Sequence, residues 1–83
     1  MYLVTVTRYA RKQIEKLPQR DYLNVLKHID AFAENPRPYG YIQLKGEDAF
    51  RLRVGNYRII YEINDSIITV TVIDVDHRKD VYR

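Results

Sequence analysis

The stretch Phe50-Arg51-Leu52-Arg53-Val54-Gly55-Asn56-Tyr57-Arg58-Ile59-Ile60-Tyr61-Glu62-Ile63 decides the fold of this chain. Phe50, Leu52 and Val54 alternate with Arg51 and Arg53, and Tyr57, Ile59, Tyr61 and Ile63 alternate with Arg58, Ile60 and Glu62. A period of two marks strands with one buried face. Gly55-Asn56 has the composition of a two-residue hairpin loop, since glycine at the first central position suits a type II′ turn. That loop sets Val54 opposite Tyr57, Arg53 opposite Arg58, Leu52 opposite Ile59 and Arg51 opposite Ile60. The basic side chains then share one face and the apolar ones the other.

Downstream, a second turn at Asp65-Ser66 is expected to pair Ile63 with Ile68, Tyr61 with Val70 and Ile59 with Val72 on the same apolar face. The other face would carry Arg51, Arg53, Arg58, Ile60, Glu62, Thr69, Thr71 and Ile73. Upstream, Tyr2 to Val6 alternate in a β-favouring composition and read as a first strand. Thr7 can cap a helix from about Arg8 to Leu17, with Ala10, Ile14 and Leu17 on its apolar face and Pro18 at its end. Asp21 can cap a second helix through about Glu34, with a stripe of Tyr22, Leu26, Ile29 and Phe32, stopped by Asn35-Pro36-Arg37-Pro38. The expected fold is α+β, in the order β-α-α-β-β-β, with a largely antiparallel sheet and the helical hairpin packed on its apolar face.

The 83 residues suit one compact domain, 1–83. An apolar fraction of 46% with 30% well-mixed charge argues against disorder. There is no cysteine, so disulfides and thiolate metal ligation are excluded and a reducing compartment, the cytoplasm, is expected. No apolar run approaches the roughly 20 residues of a membrane span, and the N-terminus reaches Arg8 too early for a signal peptide. A net charge of +3 favours an anionic partner. The basic residues of the second half fall at Lys45, Arg51, Arg53, Arg58, Arg78, Lys79 and Arg83, while acids such as Glu47, Asp48 and Asp65 sit at turns.

Arg53 directly across from Arg58 is locally unfavourable, because like charges opposite each other destabilise a sheet. With Arg51 on the same face, three guanidinium groups converge, a geometry suited to phosphate. The alternative is a solvated positive face partly neutralised by Glu62. The tail His77-Arg78-Lys79-Asp80-Val81-Tyr82-Arg83 follows the last strand, and the sheet order would return it beside the arginines. Neighbouring cations would favour the phenolate of Tyr82, making it a candidate base, or its ring plugs the chain end. His77 can carry a proton near neutrality, although a lone histidine at a strand end is commonly a hydrogen-bonded structural residue. His28 reads as structural or solvated. Two isolated histidines without metal-ligand spacing, and no glycine-rich phosphate loop, assign neither a metal nor a cofactor.

The stretches Leu44-Lys45-Gly46, Phe50 to Ile63, and Val75-Asp76-His77-Arg78-Lys79-Asp80-Val81-Tyr82 together resemble the RelE/ParE toxin superfamily over nearly the whole chain. The early strand, the helical hairpin and the Asn35-Pro36 break match its RelE-like layout. The resemblance implies a type II toxin whose partners are a cognate antitoxin, small and acidic, and the ribosome with its messenger RNA. RelE-type members are ribosome-dependent endoribonucleases acting in the decoding site, whereas ParE-type members share the fold, poison DNA gyrase and generally lack the basic and tyrosine set. On the RelE pattern Arg51 and Arg53 take the basic strand positions, Arg58 the arginine after the hairpin, and Arg78 and Tyr82 the C-terminal pair. Lys45, His77 and Lys79 would add contacts to RNA.

Two departures matter. Lysines can stand at the strand positions in the family and can lose a proton, whereas Arg51 and Arg53 are effectively always charged, so the base becomes Tyr82 or His77. The sequence also runs one residue past Tyr82, which implies that the C-terminal helix of some relatives is lacking. The implied reaction is metal-free attack of an RNA 2′-hydroxyl on the adjacent phosphate, with Arg51, Arg53 and Arg58 neutralising the transition state. Arg78 would stabilise the leaving oxygen, with His77 the alternative proton donor.

Overall fold

The computed structural model describes residues 1–45 and 48–77. Its elements run β1 (Leu3–Val6), α1 (Arg8–Glu15), α2 (Gln19–Ala31), β2 (Ile42–Gln43), β3 (Ala49–Val54), β4 (Tyr57–Asn64) and β5 (Thr69–His77). The strands form one sheet in the order β1-β5-β4-β3-β2, antiparallel except for the β1–β5 pair. This is the expected α+β architecture with one strand added. The two-residue β2 carries too little alternation to be read from sequence.

Thr7 caps α1 as expected, its hydroxyl accepting from the Ala10 N–H at 3.1 Å. The second helix begins earlier than expected, with Pro18 at its N-cap, so Asp21 lies in the first turn rather than at the cap. There the carboxylate still favours the helix dipole, and it accepts a 3.0 Å hydrogen bond from the Tyr57 hydroxyl. Val25 and Ile29 are the buried residues of α2, followed by Phe32, while Tyr22 and Leu26 of the expected stripe are only partly buried.

The β3–β4 hairpin has the expected register throughout, including Arg53 opposite Arg58 and Arg51 opposite Ile60. Gly55 has φ +59° while Asn56 stays out of the positive-φ region, as a type II′ turn requires. The β4–β5 connection differs. Asn64 pairs with Thr69, Ile63 with Val70, Tyr61 with Val72 and Ile59 with Val75, so residues 65–68 form a four-residue loop in place of a two-residue turn. The Asn64 side-chain carbonyl accepts from the N–H groups of Ser66 and Ile67, and Ile68 takes φ +49° to close the loop. A slip of two residues keeps Val70 and Val72 on the apolar face, which is why the core survives the change of turn.

A bulge at Ile60/Tyr61 adds a second difference. Ile60 pairs with Asp74 and Tyr61 with Val72, leaving Ile73 as the extra residue. The expected place of Ile73 on the basic face is therefore taken over by Asp74 and Asp76, which pair with Ile60 and Arg58.

The core lies between the helices and the apolar face. Ala10, Val25, Ile59, Tyr61, Val70 and Val72 are fully enclosed. Tyr61 stacks on Phe32 at 4.2 Å between ring centroids, and its hydroxyl donates to the Pro36 carbonyl at 2.8 Å. Burial pushes that phenol up to about 12. No helix among the described residues is long and apolar enough to cross a membrane.

Candidate functional site

The open face of the sheet presents Arg51 and Arg53 from β3 and Arg58 from β4. Alternation puts them there, and the type II′ turn holds Arg53 directly opposite Arg58 at the hairpin end. Arg53 is exposed, while Arg51 and Arg58 are half-buried. The Nε atoms of Arg51 and Arg58 are both enclosed by protein and have no hydrogen-bond partner. An enclosed cationic N–H without an acceptor costs free energy and calls for an explanation. A phosphate meeting guanidinium donors in bidentate fashion supplies one, and it also relieves the repulsion of the opposed pair.

The remaining residues singled out in the sequence fall in different places. Strand β5 ends at this same end of the sheet, because His77 pairs with Tyr57 and Asp76 with Arg58. His77 lies on the Tyr57 side, its ring edge-on to the Tyr57 ring at 5.1 Å between centroids, whereas Arg58 lies on the other face. The structure thus brings His77 to the right end of the sheet but not to the arginine face. Lys45 is exposed and precedes the start of β3, at the opposite end from Arg53 and Arg58. Arg78, Lys79 and Tyr82 lie outside the described residues. No group of three or more His, Asp or Glu side chains able to hold a metal ion occurs among the described residues.

A family model described as ParE toxin of type II toxin-antitoxin system, parDE, matches residues 4–82. Toxin RelG of Mycobacterium tuberculosis is 36% identical over 84 residues, covering 99% of this chain and 97% of that protein. The chain belongs to the RelE/ParE toxin family. Among solved structures, this family member resembles the toxin of the RelBE2 toxin-antitoxin complex from Mycobacterium tuberculosis, with a TM-score of 0.81 and 33% identity over 93% of this chain and 98% of that one. It is also similar to the archaeal RelE–RelB complex from Pyrococcus horikoshii, with a TM-score of 0.85 and 28% identity over 93% and 94% of the two chains. The RelE/ParE toxin therefore has the RelE-like fold that its hairpin sequence implied.

Two groups near the site of this family member escape a reading of the sequence. Asp76 faces Arg58 in register only because the bulge shifts the parity of β5. Gln13 of α1 reaches β5 from a helix that reads as purely structural, donating to Asp74 and accepting from the Val75 N–H. Neither carries a sequence signal, since both depend on a residue inserted in a strand far along the chain.

Proposed function

We propose that this toxin is a metal-independent endoribonuclease that cleaves messenger RNA in the ribosomal decoding site and so inhibits translation. The enclosed, unpartnered Nε atoms of Arg51 and Arg58, on the face where Arg53 opposes Arg58, carry the reading. The 2′-hydroxyl attacks the adjacent phosphate, releasing a 5′-hydroxyl and leaving a 2′,3′-cyclic phosphate. Arg51, Arg53 and Arg58 bind the phosphate and offset its growing charge, an effect worth several kcal/mol when the donors are already in place. Tyr82 is assigned as the base and Arg78 to the leaving oxygen, while Lys45 and Lys79 contribute charge toward the RNA. The placement of His77 beside Tyr57 argues for Tyr82 over His77 in proton transfer. A small acidic antitoxin covers the basic face, in keeping with the toxin-antitoxin complexes of the similar solved structures. Such a toxin acts in the cytoplasm.

A second reading, poisoning of DNA gyrase, has its own support in the ParE description of the matching family model. Mapping RNA ends on programmed ribosomes and on free messenger separates the two. Cleavage that requires ribosomes and is lost in Arg58→Ala is the expected result. Inhibition of supercoiling without new RNA ends would replace the nuclease reading with the gyrase one.

A further inference from the structure

We propose that a cavity beside the arginines is a guanine-binding subsite, with Glu62 as the residue that selects a base flanking the cleaved phosphate. The inference rests on the nuclease reading given above and deepens it. Side chains of the open face fall in rows across the strands: Arg53 with Arg58, then Arg51 with Ile60, then Ala49 with Glu62 and Thr71. Successive rows lie two residues apart along a strand, roughly 7 Å at about 3.4 Å per residue. A base attached to a phosphate held by Arg51 therefore reaches the third row. There a cavity of about 270 Å³ opens, with Asp48, Glu62, Thr69, Thr71 and Ile67 in its lining. Asp48 and Glu62 are exposed, and no ion pair among the described residues engages either one.

Two carboxylates repel a phosphate, so on a face that binds RNA they oppose the ligand unless they read a base. An ionised carboxylate accepts hydrogen bonds through two oxygens side by side. Among the four RNA bases only guanine sets two donors next to each other on its pairing edge, N1–H and the N2 amino group. Uracil offers one donor there, and adenine and cytosine each set one amino group beside an acceptor. The Thr71 hydroxyl accepts from Thr5 at 3.2 Å, which leaves its own proton available to the guanine carbonyl. Ile67, 66% exposed, supplies an apolar wall for the face of the base. Its place at the rim is imposed by the loop: the Asn64 side chain accepts from the Ile67 N–H at 3.2 Å, and Ile68 takes φ +49°, a conformation β-branched residues avoid. Strain of this kind persists where the surroundings enforce it, and it clusters at ligand clamps. A basic side chain of a protein partner would also suit the two acids, but the phosphate site one row away favours a nucleotide.

The test is single-turnover cleavage by the full chain on programmed ribosomes whose decoding-site codon carries guanosine, inosine or adenosine at each position in turn, with melting temperature recorded for every variant. Inosine lacks only the N2 amino group of guanosine. At one codon position the wild type is expected to cut the guanosine message at least about fivefold faster than the inosine one, the low end of what a bidentate base contact discriminates. Glu62→Gln exchanges one acceptor for a donor, the pattern that adenine matches, so the preference is expected to turn toward adenosine by about threefold or more. Arg58→Ala serves as the control and should slow all messages alike. A second arm needs no cleavage: fluorescence anisotropy of short 2′-O-methyl RNAs, in which the wild type is expected to favour guanosine over inosine and Glu62→Gln is not. Base ratios in Glu62→Gln equal to those of the wild type overturn the proposal, as does a wild type indifferent to inosine in both arms. If Glu62→Gln leaves the ratios alone but loosens the antitoxin complex, the cavity holds a basic side chain of that partner and the nucleotide role is overturned. A wild type that cuts no message yet separates guanosine from inosine RNA in the binding arm removes the nuclease reading and supports the subsite, whereas cuts at every codon without discrimination remove only the subsite.

Discussion

The two faces of the sheet obey opposite rules. On the covered face every singled-out polar group has found a partner: the Tyr61 hydroxyl meets Pro36, and the Tyr57 hydroxyl meets Asp21. On the open face two enclosed guanidinium Nε atoms have none, and two arginines stand opposite each other. One hairpin builds both faces from alternate residues, so the difference does not arise from poor folding locally. It teaches that the covered face is built for stability, while the open one keeps two enclosed guanidinium Nε atoms without an acceptor and two like charges in register. Residues of the covered face should therefore govern melting, and those of the open face turnover.

The sharpest break of that contrast is Arg58→Ala, expected to slow cleavage by about a hundredfold or more while melting stays near wild type, since it removes charge stabilisation and relieves repulsion at once. Arg53→Ala should follow it. Rates and melting curves from the same preparations check both. A folded Arg58→Ala with wild-type turnover would erase the distinction between the faces.

Ile59→Ala probes the other side. Ile59 is 0% exposed at the centre of the core, so truncation is expected to cost about 2–5 kcal/mol in denaturant unfolding. Per folded molecule, its single-turnover rate should remain within about threefold of wild type, because the side chain faces away from the arginines.

A smaller effect is expected at Tyr61, where removing the hydroxyl strands the Pro36 carbonyl. Tyr61→Phe should cost about 1 kcal/mol near neutral pH. Its ionisation gives a pH signature as well. The phenol is raised from 10.0 to about 12 by burial, so the folded state favours the neutral form. That stabilisation is fully present below the unfolded value and is lost as pH rises through the folded one. Wild type should thus lose stability between about pH 10 and 12 more steeply than Tyr61→Phe, as thermal melts across that range will reveal.

The smallest change is expected at the loop that joins β4 to β5. Asp65 accepts hydrogen bonds from the Tyr2 hydroxyl at 2.6 Å and from Arg37 at 3.0 Å, which hold its carboxyl below the usual range. Its contribution is present above the unfolded carboxyl value and fades as pH falls through the lower folded one. Asp65→Asn should flatten the acid limb of the melting profile slightly and leave turnover unchanged.

What the sequence made legible follows from where a single residue type dictates geometry. Gly55 fixed one turn because a positive φ at the first central position is natural for glycine, and from that turn the whole β3–β4 register and the arginine face followed. The β4–β5 turn resisted because the residue that takes positive φ is Ile68, a β-branched side chain that ordinarily avoids it, and because the loop is organised by the Asn64 side chain. The bulge at Ile73 was hidden for a related reason: a parity change inside a strand leaves composition untouched. It is the cause of the two unforeseen acids, Asp74 and Asp76, and of His77 arriving beside Tyr57. Asp21 was read as a cap because it has the right chemistry, but Pro18 starts the helix one turn sooner.

The parallel pairing of β1 with β5 bears on the order in which the sheet can close. Residues 3–6 wait for residues 69–72, and β5 also separates β1 from β4, so it is an inner strand that is synthesised after the other four. Until β5 has been translated, the sheet lacks the strand that joins its two sides, and α1 lacks the surface on which Gln13 rests. The sheet therefore closes late along the chain: β3 and β4 can form the arginine hairpin by themselves, but β1 and α1 join it only through residues 69–77.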